Sequence, residues 1–135
     1  MKIMTNEWLK VAKDDLDLIK EILNRIHLTH LIAFHAEQCV EKSLKAVLEE
    51  FEQEIPKIHN LEKLLSLVKS YIDLDIDISI IEKLDKLYID SRYPSDLGLL
   101  PDGKPSLIDA SEFYEFAKMI YTKIYDFLSE NRSDV

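Results

Sequence analysis

The 135-residue sequence has one cysteine, two glycines and four prolines, and its 17 Lys and Arg are outnumbered by 26 Asp and Glu. A lone thiol, Cys39, cannot close a disulfide within the chain, and among apolar neighbours it reads as a small buried filler rather than a nucleophile. So little glycine argues against turn-dense all-β architecture and against low-complexity disorder. No apolar run approaches the eighteen or so residues of a membrane span, and Met1-Lys2-Ile3-Met4-Thr5 has no signal-peptide core, so a cytoplasmic location is expected. The formal net charge of −9 opposes loose, sequence-independent binding of nucleic acid, which relies on surplus Lys and Arg. Any phosphate contact must be local.

What remains is a chain that is 47 % hydrophobic and 32 % charged, a size and composition suited to one helical domain spanning 1–135. Thr5 or Asn6 can cap a first helix to about Arg25, with Trp8, Ala12, Ile19, Ile22 and Ile26 on one face. Asp15 falls on the same face, where a carboxylate is costly unless a cation from another helix meets it. A second helix, about Leu28 to Phe51, carries a core stripe of Ala33, Ala36, Val40, Leu44, Val47 and Phe51. His35, Gln38, Lys42, Lys45 and Glu49 form an opposite stripe that reads as a solvated face. Leu28, Leu31, Ile32 and Phe34 make the start of this helix apolar almost all round, so a second chain or loops should cover it.

Asn60 can cap a short helix to about Tyr71, and Asp73 to Asp77 is a linker too short for a sheet. Ser79-Ile80-Ile81-Glu82 has capping-box form and opens a fourth helix with Ile81, Leu84, Tyr88 and Ser91 on one face. Pro94 disfavours helical geometry at Tyr93, so this helix should stop near Arg92. The stretch 93–106 is the one long loop, and long ordered loops are often functional. Ser106 can cap a last helix with Ala110, Phe113, Ala117, Ile120, Ile124 and Phe127 facing the core. Tyr114, Tyr121 and Tyr125 flank that stripe, as core-edge rings with wet hydroxyls or, alternatively, as stacking platforms for bases. Long helices and short connections predict an all-α, up-and-down antiparallel bundle of four to five helices.

Arg92 follows Tyr88 by one helical turn, where a guanidinium can bond the last helix carbonyls, pair with Asp15 or fork onto a phosphate. His30 and His35 are five residues apart and point to different sides of one helix, and no Cys or acidic residue completes a metal set at ligand spacing. No Gly-rich phosphate loop or nucleophile elbow is present, so the sequence calls for neither metal nor cofactor.

Four ordered segments also resemble the HEPN domain: Trp8-x-x-x-Ala12-x-x-Asp15-Leu16, Phe34-His35-Ala36-Glu37-Gln38-Cys39-Val40-Glu41-Lys42-Ser43-Leu44-Lys45-Ala46, His59-Asn60-Leu61 and Tyr88-Ile89-x-x-Arg92-Tyr93-Pro94. The resemblance spans nearly the whole chain. It implies a helical bundle that usually forms a homodimer, and a small nucleotidyltransferase encoded nearby, some such pairs acting as toxin and antitoxin. Catalytic members are metal-independent ribonucleases with a His four to six residues after the Arg. Here the last histidine is His59, so nothing downstream of Arg92 can play that part. Arg25-x-x-x-x-His30 has the spacing at the wrong corner of the bundle and reads as coincidence.

The resemblance thus implies a non-catalytic module that binds a nucleotide or RNA beside its nucleotidyltransferase. Asp15, Lys42, Lys45, His59, Arg92 and Tyr93 would line the site, with Arg92 and a lysine on phosphate and Tyr93 as a stacking face. One alternative is a metal-independent RNA endonuclease in which the fold brings His59 to Arg92. Another is an interaction protein whose polar cluster is architectural.

Overall fold

The computed structural model describes residues 1–92 and 103–132, without the side chains of residues 90–92 and 131–132. Helix α1 spans Ile3–Ile22, α2 Thr29–Glu50, α3 Leu61–Val68, α4 Ile78–Arg92 and α5 Leu107–Arg132, and one turn of 3₁₀ helix, Ile26–Leu28, joins α1 to α2. No strand occurs among the described residues. Tyr93 and most of the predicted loop 93–106 lie outside them, as does Pro94.

Helix α2 is the central post. It runs antiparallel to α1, because Thr5 Oγ1 meets Glu50 Oε1 at 3.1 Å near one end and Lys42 Nζ meets Asp15 Oδ2 at 2.8 Å near the middle. It runs parallel to α5, since Cys39 Sγ lies 3.9 Å from the Ala117 carbonyl and Phe51 faces Phe127 further along. The ring of Phe34 stacks on that of Tyr88 in α4, centroids 5.7 Å apart. The four long helices thus alternate up and down, as the sequence predicts. Ala33, Ala36, Val40, Leu44 and Val47 are all buried, with Leu9, Leu16, Ile81, Leu84, Ile120, Ile124 and Leu128 closing on them. Cys39 is fully buried, and burial pushes its thiol pKa far above the usual range, which fits packing rather than reactivity.

Local signals set most of the boundaries. The Asn60 side chain accepts from the Lys63 amide at 2.8 Å and Ser106 Oγ from that of Asp109 at 3.0 Å, so both predicted caps hold. At α4 the cap moves back: Asp77 Oδ1 accepts from the Ser79 amide at 2.9 Å and its hydroxyl at 2.7 Å, so Ser79 is already helical. Helix α1 begins at Ile3, before the expected Thr5 or Asn6, because Thr5 is buried against Glu50 and has no cap to make. It also ends at Ile22 rather than near Arg25, leaving Ile26 in the corner and 68 % exposed. Helix α2 closes with Glu52 at φ 57°, where its amide and that of Gln53 bond back to the Glu49 and Leu48 carbonyls.

Candidate functional site

The stripe that reads as solvated from the sequence is instead half-buried to buried. The physical reason is a row of cross-helix charge pairs, which lets carboxylates and lysines leave water together. Two clusters share α2.

The first joins α1 to α2. Asp15 Oδ2 accepts from Lys42 Nζ at 2.8 Å and Asp15 Oδ1 accepts from His35 Nδ1 at 2.9 Å. The cation that the buried Asp15 demanded is therefore Lys42, with His35 beside it. Lys42 retains 23 % side-chain exposure against 8 % for Asp15, so the lysine stem covers the pair while its tip reaches towards water.

The second joins α2 to the start of α3 and to α4. Glu41 Oε2 accepts from Lys45 Nζ at 3.0 Å, and Glu41 Oε1 from His59 Nδ1 at 2.9 Å. A carboxylate can only accept, so the proton on this bond is carried by His59 Nδ1, and Nε2 is the ring nitrogen that Glu41 leaves unused. Lys45 is 6 % exposed, with its ammonium 5.8 Å from the centre of the Trp8 ring. Both predicted lysines therefore arrive with a carboxylate of their own. What they could offer a phosphate is already balanced.

His59 itself is exposed, and its ring tilts against Tyr88 with centroids 5.1 Å apart. Asp85, one turn earlier on α4, fixes this placement. Its Oδ1 accepts from the Leu61 amide at 2.8 Å and its Oδ2 from that of Glu62 at 3.3 Å, pinning the start of α3, and with it His59, to α4. Burial raises the pKa of Asp85, against the pull of those two amides. Arg92 stands on the same helix four residues after Tyr88, about 6 Å further along the axis. Its side chain, like all of Tyr93, is outside the described residues.

Behind this face lies Glu37, fully buried. Its Oε1 accepts from Gln38 Nε2 at 2.9 Å, while its Oε2 has no hydrogen-bond partner. Burial first, and the neighbouring Glu41 carboxylate second, push the Glu37 pKa up to about 9, so it is protonated at neutral pH.

Of the residues expected to line one site, Asp15 and Lys42 are thus together, and Lys45 and His59 meet on Glu41. Glu37, Glu41 and Asp85 are not legible as site residues in the sequence. The one available signal was Glu41 and Lys45 at four-residue spacing, ordinarily a weak surface pair.

The model of the HEPN domain family matches residues 5–127. Among solved structures, an archaeal HEPN homologue, ST0689, is 25 % identical, with a TM-score of 0.67 over 93 % of this chain and 98 % of its own. TT1696 from Thermus thermophilus is 20 % identical, with a TM-score of 0.66 over 91 % of this chain and 97 % of its own, a likeness of fold. No curated protein matches the sequence. With the family model covering nearly its whole length, this chain belongs to the HEPN domain family.

Proposed function

We propose that the protein is a non-catalytic HEPN module that binds a nucleotide or RNA phosphate on the face shared by His59, Tyr88 and Arg92, and that it acts beside a nucleotidyltransferase partner. The observation that carries this reading is the placement of His59, turned by Glu41 onto Tyr88 one helical turn before Arg92. Arg92 would fork onto a phosphate and Tyr93 would offer a stacking face. Lys42 and Lys45 would act at one remove, by neutralising Asp15 and Glu41 so that the face does not repel an anion. In a chain of net charge −9, binding of phosphate would be confined to such local spots.

Thermal unfolding with nucleotides and short RNAs tests the binding. A ligand at about 100 times its Kd adds roughly 2.7 kcal/mol. No rise in Tm with any of them would count against the reading. Recovery of the protein from its native host together with a small nucleotidyltransferase would support the partnership, which would pair the two as toxin and antitoxin or as subunits. Purification alone, or as a homodimer only, would oppose it.

The same placement favours a second reading, a metal-independent RNA endonuclease. Here Nε2 of His59 would move a proton while Arg92 stabilises the phosphate. Cleavage of RNA in EDTA that is lost in both His59→Ala and Arg92→Ala would establish it. Intact RNA after prolonged incubation would leave the binding module.

A further inference from the structure

Helices α1 and α5 both lie along α2 and leave a groove between them. It consists of two adjoining hollows of about 420 and 390 Å³ that share Lys13, Tyr121 and Tyr125. Leu16, Lys20, Tyr114, Lys118 and Thr122 complete the first hollow, and Asn6, Leu9, Lys10 and Asp14 the second. The first hollow is lined by three lysines and no carboxylate, a local exception in a chain of net charge −9, whereas Asp14 stands in the second.

Their pairing is uneven. Lys13 Nζ is held by Asp17 at 2.6 Å and Lys10 Nζ approaches Glu7 at 3.4 Å. Lys20 and Lys118 are in no ion pair with a described residue, and the ammonium of Lys118 sits 5.9 Å from the centre of the Tyr114 ring. Next to this end, Tyr121 and Tyr125 form a ring pair with centroids 5.9 Å apart, Tyr121 half-buried and Tyr125 exposed. Two uncommitted ammonium groups and an aromatic pair lining one hollow match a ligand that carries both a phosphate and a flat ring. Lysine supplies the point charge, and a tyrosine face accepts any base.

We infer that the α1/α5 groove is a binding site for nucleotide units, with phosphate between Lys20 and Lys118 and the base against Tyr121 and Tyr125. The second hollow shares the tyrosine pair, but its lysines are held by Glu7 and Asp17 and Asp14 stands in its wall, so phosphate is held in the first. From Asn6 to Lys20 the groove is about 21 Å long at 1.5 Å per residue, more than one nucleotide needs. The same chemistry is offered by a free nucleotide and by a single-stranded RNA. This site is separate from the His59 face and stands whether or not that face binds.

Fluorescence anisotropy of a labelled eight-nucleotide oligouridylate on the full chain tests it, with AMP and inorganic phosphate as competitors. Lys20→Ala/Lys118→Ala removes two exposed charges that no helix contact needs. It should weaken binding at least tenfold and reduce the salt slope by about 0.7, the value for one phosphate contact on a single strand. Tyr125→Ala should weaken it several-fold. Displacement by AMP at low concentration identifies the free nucleotide as the source, and resistance to AMP identifies RNA. Phosphate competing as well as AMP would overturn the proposal, because the rings would then contribute nothing. So would affinity within twofold of wild type in the double lysine variant, or no binding of oligouridylate and AMP at all. The lysine substitutions are also measured in the Arg92→Ala background, where the His59 face is disabled and any further loss belongs to the groove.

Discussion

Replacing Glu37 by Gln changes one atom of a buried side chain and removes its titration. In the folded protein the Glu37 carboxyl has a pKa of about 9, against 4.5 in the open chain, because burial and the Glu41 carboxylate both resist its ionisation. Between those two values the folded state holds a proton that the unfolded state has released. Stability therefore falls as pH rises, at up to about 1.4 kcal/mol per pH unit for this one group. From pH 5 to pH 8 the loss reaches at most roughly 4 kcal/mol. The Gln variant keeps an oxygen for Gln38 Nε2 and turns an amide donor towards Glu41, so it should match wild type within about 1 kcal/mol at pH 5. By pH 8 it should be more stable by up to about 4 kcal/mol. Urea unfolding of both proteins across this range reads the difference directly, since all other titrations cancel. Parallel stability curves would refute the burial argument, and a variant that loses ground as pH rises would reverse it.

Asp15→Ala leaves Lys42 and His35 facing each other without their carboxylate. Breaking a buried pair costs about 3–5 kcal/mol, but the lysine tip retains some water, so a loss of about 2–3 kcal/mol is expected in urea unfolding. A loss below about 1 kcal/mol would mean the pair behaves as a surface one. Asp85→Ala removes the acceptor of the first two amides of α3, which should cost about 1 kcal/mol. The Leu61 and Glu62 amides should then exchange faster than that of Lys63, which keeps its Asn60 cap, and equal protection in variant and wild type would remove Asp85 from its positioning role.

The helices were legible because their signals are local. The Asn60 and Ser106 caps act within three residues, and the apolar stripes of α2 and α5 repeat every three to four. The start of α1 was misplaced because Thr5, a good cap by type, is drawn into a long-range bond with Glu50 that no local pattern encodes. The site was legible only in part for the same reason. Asp15 announced a missing cation, being polar on an apolar stripe, yet nothing local distinguished Lys42 from other lysines. Glu37 and Glu41 looked like ordinary helix-surface carboxylates, and their burial comes from elements far along the chain. Asp85 sits 24 residues from the amide it caps. The alternating segment Asp73 to Asp77 forms no strand, in line with its shortness and isolation.

The central claim is that the His59, Tyr88 and Arg92 face holds a phosphate without cleaving beside it. The most direct measurement is a binding isotherm of a short RNA on wild type and Arg92→Ala, at fixed salt and in EDTA, with the RNA checked for length afterwards. A charge-assisted bond to phosphate is worth about 1.5–3 kcal/mol, so the variant should bind roughly 10- to 100-fold more weakly while the RNA stays intact. Equal affinity of the two proteins, or RNA shortened by wild type alone, would contradict the account.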